Sequence, residues 1–580
     1  MSTPTHRAPW LPVCPSPRRL LLAPLALGMA LLAALPVRPA EADDNKTVAA
    51  RNGMVVSVSA LASEAGRDVL KRGGNAVDAA VATAFALAVT YPAAGNIGGG
   101  GFMMIHPGGK ADPICIEYRE TAPAAATKTL FAKGDGMLGH KVVGVPGTVR
   151  GLALAHQRFG KLPWKELVLP AVRLAEDGFP MDAQLAGSLN GLVAAAADFP
   201  ELRRVFGKDG GAAEWKADDR LVQKDLAKTL RLIAEEGPNA FYKGKIAEQL
   251  VAEMKTGGGL ITRDDLAAYK AVERKPIHGT YRGYDIYGPP PPSSGGICLV
   301  ELLNILENFD LRSQGRWSPE TLHLMAEAMR RVFCERAAYL GDPDFTRIPP
   351  HLTSKEHARA LARHIDPKKA TPSEELAKGL NIPLAREGDN TTHFSVIDST
   401  GMAVANTYTL EHGYGSRVVV RGAGFLLNNE MVDFNRFPGV TDRAGTIGTE
   451  PNLIAPGKRM LSSQTPTIVA KDGKVRLVTG SPGSRTIINT VLCVVVNMID
   501  FDMDIRQAVD APRLHHQWFP DVVRFEGVGE HAAAVKQLRA LGHTVSGTKQ
   551  GDAHSIWVDP KTGLFHGAAD RRISGSAAGY

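Results

Sequence analysis

Two threonines, Thr391 and Thr409, have a spacing in this sequence that could support nucleophilic chemistry. Side chains alternate in character from 392 to 397, which predicts a β-strand, and residues 402–409 predict a second strand. If residues 399–401 form a three-residue hairpin loop, the two residue numbers of every facing pair add up to 800. Thr391 then lies opposite Thr409, with both side chains on one face. A hydroxyl with an orienting partner is a candidate nucleophile. Threonine is also frequent in strands, so spacing alone leaves a structural role open.

A second stretch has the composition of an anion-binding turn. The residues Gly480-Ser481-Pro482-Gly483-Ser484-Arg485 precede an apolar run, Ile487 to Met498, that is predicted to be a helix. Consecutive backbone N–H groups at a turn that enters a helix converge on one point and bind negative charge there. The turn is therefore a candidate for stabilising an oxyanion, although a plain entry into a helix has the same composition.

The elements around these residues predict an α/β protein. Glycines 98–101 lead into a predicted strand, Phe102 to Ile105, whereas a dinucleotide-binding motif runs from strand to glycines to helix, so a Rossmann domain is excluded. Asn75 and Asp78 have the spacing of a helix cap, and the helix that follows is apolar nearly all round, which predicts burial. Helical patterns cover 57–72, 76–90, 164–177, 223–236, 244–256, 298–308 and 319–340.

Two further features concern the organisation of the chain. Residues 289–296 are rich in Pro, Ser and Gly and predict a loop rather than a long linker. From residue 391 onward, short alternating strands with Gly turns replace the helical patterns, which predicts a boundary near 380–392.

The composition excludes several classes of protein. Of the 580 residues, 44% are hydrophobic and 22% are charged, which are ordinary globular values and exclude a disordered chain, a collagen-like repeat and a coiled-coil rod. The net charge is only +7, and no run of Lys and Arg reaches five residues. We therefore expect no nucleic-acid partner.

The first 42 residues have the features of an export signal. Arg18-Arg19 precede an apolar stretch, Leu20 to Leu35, and Ala40-Glu41-Ala42 has the small-x-small pattern that a signal peptidase cleaves. The apolar stretch is short for a bilayer span, and no later segment has 18 uncharged apolar residues. We expect cleavage after Ala42 and a mature chain in the periplasm or the medium, without a membrane span. An uncleaved N-terminal anchor is the alternative.

Cysteine and histidine give no sign of a metal site. Cys115, Cys298, Cys334 and Cys493 remain after removal of the leader, and their spacing matches neither a zinc motif nor a disulfide framework. We interpret them as small buried residues, with one long-range disulfide left open. His515-His516 and the pair His357/His364 lack the spacing of known ligand motifs, so we expect structural roles and no cofactor.

An ordered set of short motifs, which runs through nearly the whole mature chain, resembles the γ-glutamyltranspeptidase family. The central match is Asn390-Thr391-Thr392-His393-Phe394-Ser395-Val396 with Thr407-Tyr408-Thr409-Leu410. Each further match is weak alone, but the set in this order is specific. It comprises Tyr118-Arg119-Glu120, Ala122-Pro123, Val145-Pro146-Gly147, 291–296 (PPSSGG), 426–431 (LLNNEM), Asp433-Phe434, Ser462-Ser463, 480–483 (GSPG) and Gly579-Tyr580.

The resemblance implies an N-terminal-nucleophile hydrolase fold, a four-layer αββα sandwich, made as an inactive precursor. In the family, a threonine hydroxyl attacks the preceding carbonyl, here that of Asn390, and cuts the chain before Thr391. The products would be a large subunit of 348 residues (43–390) and a small subunit of 190 residues (391–580), which stay together as a heterodimer. Cleavage gives Thr391 an α-amine with a pKa of about 7.7–8, which can accept the hydroxyl proton near neutral pH. Thr409 would hydrogen-bond Thr391 and orient it.

The resemblance also implies how the free amino-acid end of a γ-glutamyl group is recognised. Arg119 matches the arginine that binds the α-carboxylate of the donor, and Ser462 and Ser463 match a serine pair on the same carboxylate. Glu430 and Asp433 match the acids that hold the α-ammonium.

Three positions depart from the common pattern of the family. Glu411 stands where some members have Asn and others Glu, and it adds negative charge near the α-ammonium. Gly483 and Ser484 match the oxyanion turn, where the family usually has two glycines, so Ser484 must adopt the local backbone angle. The loop 438–452 keeps the length of a lid but has Ala444 and other non-aromatic residues where an aromatic gate is expected.

The function implied is that of a self-processing γ-glutamyltransferase and glutathione hydrolase. It would transfer the γ-glutamyl group of glutathione and other γ-glutamyl compounds to amino acids, peptides or water, through an ester on Thr391. Two alternatives stay open: a cephalosporin or glutaryl acylase on the same scaffold, and a periplasmic binding protein that is never cut. Arg119, Glu430 and Asp433 favour the γ-glutamyl donor, because a donor without an ammonium would leave the acids unpaired. The presence of both threonines argues against a binding protein.

Overall fold

The computed structural model describes residues 47–132, 134, 136–377 and 391–580. The predicted export signal, residues 1–42, lies outside the described residues. So does Asn390, the residue before the predicted cleavage bond. The strands are β1 (Thr47–Ala50), β2 (Gly53–Ser57), β3 (Gly100–His106), β4 (Ile114–Glu117), β5 (Phe179–Pro180), β6 (Arg220–Leu221), β7 (Val272–Arg274), β8 (Ile277–Tyr281), β9 (Tyr284–Gly288), β10 (Thr392–Asp398), β11 (Ala403–Thr409), β12 (Thr467–Lys471), β13 (Lys474–Thr479), β14 (Leu514–His515), β15 (Val523–Phe525), β16 (Val545–Gly547), β17 (Ser555–Val558), β18 (Phe565–Ala568) and β19 (Ser576–Gly579).

Helices alternate with these strands along the chain. They are α1 (Ala60–Lys71), α2 (Ala76–Thr90), α3 (Thr148–Phe159), α4 (Trp164–Asp177), α5 (Ala183–Ala194), α6 (Pro200–Phe206), α7 (Lys224–Glu236), α8 (Asn239–Tyr242), α9 (Lys245–Gly257), α10 (Arg263–Ala268), α11 (Gly295–Leu306), α12 (Leu311–Gln314), α13 (Pro319–Tyr339), α14 (Lys355–Arg363), α15 (Ser373–Leu376), α16 (Thr486–Ile499), α17 (Ile505–Asp510) and α18 (Ala532–Ala540). Within the described residues, none of them combines the length and apolar character needed to cross a bilayer.

Two seven-stranded antiparallel sheets form the centre of the molecule. The first has the order β1-β18-β17-β13-β12-β9-β8 and the second has the order β19-β2-β10-β11-β3-β4-β7. Side chains of both sheets, among them Met54, Phe102, Ile468 and Val478, form the apolar layer between them. Helices α1 and α2 pack on the outer side of the second sheet, and α11 packs on that of the first. The predicted four-layer αββα sandwich is therefore confirmed.

Local sequence explains most helix boundaries. Asn75 accepts hydrogen bonds from the backbone of Val77 and Asp78, and Asp78 accepts one from the backbone of Asn75, which is the predicted capping box of α2. All fifteen residues of α2 are buried, as its all-apolar pattern predicts. The helices predicted at 76–90, 164–177, 223–236, 244–256 and 319–340 agree with α2, α4, α7, α9 and α13 to within one residue at each end.

One helix begins earlier than predicted. The sequence predicts a loop that includes Gly295 and Gly296, but in the structure they are the first two residues of α11. A Cβ on Gly295 would lie 2.3 Å from the carbonyl oxygen of Gln464, and one on Gly296 would lie 2.4 Å from that of Pro289. These glycines are therefore required by close packing of the helix start against neighbouring backbone, a reason that a sequence pattern does not reveal.

The boundary predicted near 380–392 does not separate two folding units. Residues from 47 onward belong to one compact unit. Strands β10 and β11 lie between β2 and β3 in the second sheet, so segments before and after residue 390 alternate within one hydrogen-bonded structure. The change of residue pattern near this point marks a change from predominantly helical sequence to strands, and not a domain boundary.

The described cysteines are all buried and none is paired. The long-range disulfide that the sequence left open is therefore absent from this part of the chain. The interpretation of the cysteines as small buried residues is confirmed.

Candidate active site

The hairpin of β10 and β11 brings Thr391 and Thr409 together, as its predicted register requires. Thr392 faces Tyr408 and His393 faces Thr407, so the numbers of facing residues sum to 800 as predicted. One residue further, the Thr391 hydroxyl donates a hydrogen bond to the Thr409 hydroxyl over 3.3 Å. The exposed fraction of Thr391 is 6%, so a nucleophile here would work largely screened from bulk water.

The backbone around Thr409 is fixed by a close approach of neighbouring chain. A Cβ on Gly99 would lie 1.9 Å from the Thr409 carbonyl oxygen, so this position admits only glycine. The Asn96 side chain donates a hydrogen bond to the same carbonyl over 2.9 Å. The Thr409 hydroxyl in turn accepts one from the backbone N–H of Glu411 over 2.8 Å. Gly99 belongs to the glycine run 98–101 that excluded a dinucleotide-binding motif, and it fixes the backbone position of Thr409.

Arg119 lines one cavity together with Thr391 and Thr409, and it is buried, with an exposed fraction of 1%. Its guanidinium forms ion pairs with Glu430 and Asp433. It also donates to the carbonyl oxygens of Met460 over 3.3 Å and Leu461 over 3.2 Å. The forked geometry of the guanidinium allows these bonds to run in several directions at once, which a lysine ammonium cannot reproduce.

Two acids predicted to hold an ammonium, Glu430 and Asp433, and a third predicted to lie near it, Glu411, converge close to Arg119. One carboxylate oxygen from each of Glu411, Glu430 and Asp433 lies within 4.8 Å of the others. Glu430 and Asp433 stand at the two ends of one short 3₁₀ turn. Because Arg119 already neutralises part of this charge, the cluster suits a singly charged ammonium with several N–H donors better than a divalent metal ion.

Glu120 is an acid of this region that the sequence did not single out as a functional residue. It is fully buried, and a carboxylate oxygen lies 3.8 Å from the Arg119 guanidinium. Burial raises the pKa of Glu120 to about 7, although Arg119 acts to lower it. Burial, together with the charges of Glu120 and Asp433, also raises the pKa of Glu430 against the lowering effect of Arg119. Arg119 is therefore close to three acids, Glu120, Glu430 and Asp433.

Ser462 and Ser463 lie in the same cavity, where the sequence predicts them, and a second arginine supports them. Arg336, in α13, donates to the Ser463 hydroxyl over 2.9 Å and to the Ser294 hydroxyl over 2.9 Å. Ser294 donates in turn to the Ser462 carbonyl oxygen over 2.7 Å. Sequence reasoning missed Arg336, because an arginine in a long helix ordinarily lies at the surface, whereas this one is 4% exposed.

The turn before α16 has the geometry of an anion site. Ser484 has a φ of 50° and Gly483 has a φ of 123°, so the serine does adopt the left-handed backbone that the turn needs. Within the described residues, the backbone N–H groups of Gly483 and Ser484 donate to no backbone carbonyl. Ser484 lines the cavity together with Thr391. Ser484 therefore lies beside the candidate nucleophile, whereas Gly483, the preceding residue of the turn, does not line the cavity.

One cavity collects nearly all the predicted residues. It is lined by Arg119, Arg336, Thr391, Thr409, Glu411, Asp433, Leu461, Ser462, Ser463, Gln464, Ser484 and Ile487. No residue of the loop 438–452 is among them, so this loop forms no wall of the cavity in the described structure. A larger cavity of about 330 Å³ lies beside Tyr91 and Tyr414, but it contains neither threonine of the pair and no arginine, so it lacks the means for this chemistry.

Two of the histidines interpreted as structural, His515 and His516, are fully buried. Burial lowers the pKa of His515 to about 3 and that of His516 to about 4. His515 accepts a hydrogen bond at Nδ1 from the Asn489 side chain over 2.7 Å. Neither residue lines the cavity of the threonine pair.

The chain is similar to known proteins along most of its length. The glutathione hydrolase proenzyme of Escherichia coli K12 is 46% identical over 579 residues, which cover 97% of this chain and 99% of that protein. The solved cephalosporin acylase from Bacillus halodurans has a TM-score of 0.82 at 28% identity and covers 94% of this chain and 99% of its own. A chain of Helicobacter pylori gamma-glutamyltranspeptidase has a TM-score of 0.53 at 41% identity and covers 55% of this chain and 93% of its own.

The match to a family extends over the same region. The family model of gamma-glutamyltranspeptidase matches residues 62–580, which contain every described site residue. Because the match spans most of the chain and the Escherichia coli relative agrees at high identity and coverage, the chain belongs to the gamma-glutamyltranspeptidase family.

Proposed function

We propose that this enzyme transfers the γ-glutamyl group of glutathione and related γ-glutamyl compounds to water, amino acids or peptides, with Thr391 as the nucleophile. The observation that carries the proposal is the pair of hydroxyls of Thr391 and Thr409, which lie 3.3 Å apart. The cavity that they line is also lined by Arg119 and by Ser484 of the candidate oxyanion turn. The family to which the chain belongs supports the same activity.

Attack on a donor requires a base for the Thr391 hydroxyl, and the nitrogen of Thr391 itself is the candidate. The nitrogen of Thr391 in an uncut precursor is an amide and has no useful basicity. Cleavage between Asn390 and Thr391 would make it an α-amine with a pKa of about 7.7–8, on the same residue as the hydroxyl. The proenzyme names of relatives agree with such processing. We therefore propose that Thr391 cuts its own chain and that 43–390 and 391–580 remain together as a heterodimer.

Each step of the reaction then has a group to perform it. The Thr391 oxygen attacks the γ-carbonyl carbon of the donor while its proton passes to the α-amine. The backbone N–H groups of Gly483 and Ser484 donate to the oxyanion, and the loss of one such donor costs about 2.7–4 kcal/mol of transition-state stabilisation. As the C–N bond breaks, the α-amine returns the proton to the leaving nitrogen, which leaves a γ-glutamyl ester on Thr391. Water or an acceptor amine attacks this ester, and the proton returns to the threonine oxygen.

The charges of the cavity fit the zwitterionic end of a γ-glutamyl group. The α-carboxylate would bind Arg119 and the hydroxyls of Ser462 and Ser463, with Arg336 holding Ser463 in place. The α-ammonium would lie among Glu411, Glu430 and Asp433. Hydrogen bonds between charged partners contribute about 1.5–3 kcal/mol each, so this end of the donor supplies much of the binding energy.

A cephalosporin or glutaryl acylase is the second candidate, because the Bacillus halodurans acylase shares the fold. A glutaryl donor has no α-ammonium. Three carboxylates converge here, those of Glu411, Glu430 and Asp433, and Arg119 supplies a single positive charge to them. A glutaryl donor would add no cation to offset the remaining negative charge, which is costly in a buried site. The acid cluster therefore favours the γ-glutamyl donor.

Glu411→Gln tests this distinction. We expect the KM for γ-glutamyl-p-nitroanilide to rise about tenfold, because one carboxylate of the ammonium site is lost, which corresponds to about 1.4 kcal/mol. The KM for glutaryl-p-nitroanilide, which has no ammonium, should stay the same or fall. Glu450→Gln is the matched control, since this exposed acid pairs with Lys128 outside the cavity. Equal changes for both donors would show that Glu411 does not contact the ammonium.

Intact-mass spectrometry tests the function and the predicted export together. We expect purified protein to give fragments 43–390 and 391–580, with Asp43-Asp44-Asn45 at the N-terminus of the large one. Brief incubation with γ-glutamyl-p-nitroanilide should add one γ-glutamyl group, mapped to Thr391. A single uncut chain without an adduct would contradict the proposed function, and a large fragment that begins at Met1 would contradict cleavage of the leader and its export to the periplasm or the medium.

A further inference from the structure

Outside the active site, three helices bring a histidine and two glutamates together. Glu301 lies in α11, Glu335 in α13 and His357 in α14, and one ligand atom of each lies within 4.8 Å of the others. The His357 Nε2 atom lies 2.9 Å from a carboxylate oxygen of Glu335 and 3.7 Å from one of Glu301. None of these residues lines the cavity of the threonine pair.

Glu301 is buried and Glu335 is partly exposed, and the two carboxylates have little positive charge beside them. Glu301 is 1% exposed, and its Oε1 atom accepts no hydrogen bond within the described structure. Among the residues that the structure describes, His357 forms ion pairs with both Glu301 and Glu335, and no lysine or arginine pairs with either glutamate. A buried carboxylate beside a second carboxylate is unfavourable unless a proton or a cation lies between them.

We propose that Glu301, Glu335 and His357 bind one divalent transition-metal ion of the Zn²⁺ type. The ion would neutralise both carboxylates, and His357 would bind it through Nε2 as a neutral imidazole. Side chains of Glu335 and His357 are 17% and 21% exposed, which gives the ion a route from solvent and leaves room for water as a fourth ligand. The site would join α14 to α11 and α13 on the outer side of the sandwich.

The ligand set selects the class of metal. An imidazole nitrogen with carboxylate oxygens suits Zn²⁺, with bond lengths of about 2.0–2.2 Å, whereas Mg²⁺ and Ca²⁺ prefer all-oxygen sites. A second cluster, His323, Glu327 and His543, does not offer the same site, because Arg330 and Arg331 already neutralise Glu327.

Metal content and stability of tag-free protein test the proposal without any assay of activity. After treatment with a chelator and its removal, protein is incubated with Zn²⁺, freed of excess metal by gel filtration, and measured by plasma mass spectrometry. We expect one zinc per chain in wild type, and at least a tenfold lower content in Glu301→Gln and His357→Gln. His364→Gln is the control, since this exposed histidine at the end of α14 bonds its own helix and should not alter zinc binding.

Two further readouts make the result specific. Co²⁺ should give visible absorption with wild type and not with Glu301→Gln, and Zn²⁺ but not Mg²⁺ should raise the midpoint of thermal unfolding of wild type alone. Circular dichroism establishes that each variant is folded, and Glu335→Gln replaces His357→Gln if the latter is not. Wild type that retains no zinc would overturn the proposal and leave a proton shared by the glutamates. Zinc that persists in both variants would place the metal elsewhere, for example on the acids beside Arg119, and would overturn it equally.

Discussion

Thr391→Ala is expected to yield a single uncut chain with no measurable γ-glutamyl transfer or hydrolysis. The variant lacks the hydroxyl that would attack the Asn390 carbonyl, and without the cut no α-amine forms to serve as the base. Electrophoresis and intact mass should show one species, where wild type gives two fragments. Release of p-nitroaniline should fall to the level of a reaction without enzyme.

Two controls separate chemistry from folding in this experiment. Thr391→Ser keeps a hydroxyl and should be cut and retain part of the activity. Thr400→Ala removes a hydroxyl at the tip of the same hairpin, where it bonds Asp398, and should behave as wild type does. If purified Thr391→Ala were still cut between 390 and 391, another residue would have to perform the cleavage. A γ-glutamyl adduct on any other side chain would contradict the mechanism even if self-cleavage depended on Thr391.

Arg119→Lys is expected to lower kcat/KM for γ-glutamyl-p-nitroanilide by about a hundredfold or more, which corresponds to about 2.7 kcal/mol. The guanidinium contacts Glu430, Asp433 and two backbone carbonyls at once, which uses four of its five N–H groups and leaves one for a donor carboxylate. An ammonium has only three N–H groups and cannot keep these contacts and also bind a carboxylate. The effect should appear chiefly as a higher KM and as weaker competition by free glutamate.

Self-cleavage should be spared in this variant, because it requires no bound donor. The rate at which the two fragments appear is therefore the internal control. Arg158→Lys, at an exposed ion pair with Glu273, should leave both processes unchanged. Unaltered affinity for glutamate would remove Arg119 from the donor site, and loss of self-cleavage would mean that Arg119 acts by holding the fold together.

The sequence predicts the chemistry of the hairpin better than it predicts its surroundings. Strand alternation and a short turn determine the register of β10 and β11, since both depend on neighbouring residues only, and the threonine pair follows from that register. The order of the two sheets is a different matter. It depends on pairs such as β1 with β18 and β2 with β19, which join the two ends of the chain and which no local pattern records.

The site residues missed by sequence reasoning share a physical reason. Arg336 and Glu120 are charged residues inside a helix and after a strand, and local pattern places such residues at the surface. Arg336 is buried among groups distant in sequence, Ser294 and Ser463, to which it donates hydrogen bonds. Glu120 is buried beside its neighbour Arg119, and long-range packing encloses that pair. Ser484 shows the reverse case, where a residue that departs from glycine nevertheless adopts the left-handed backbone that the turn requires.

The alternation of early and late strands has a consequence for the lifetime of the molecule. If the chain is cut before Thr391, the two pieces stay joined by the backbone hydrogen bonds of β10 with β2 and of β11 with β3 in the middle of a sheet. Neither piece holds either of the two seven-stranded sheets complete, so we expect neither to fold to this structure alone. Folding is unimolecular before the cut, whereas recovery after denaturation would require two incomplete chains to find each other in solution. The cut would thus make unfolding effectively irreversible. The mature enzyme would then persist because it unfolds slowly, and not because it can refold.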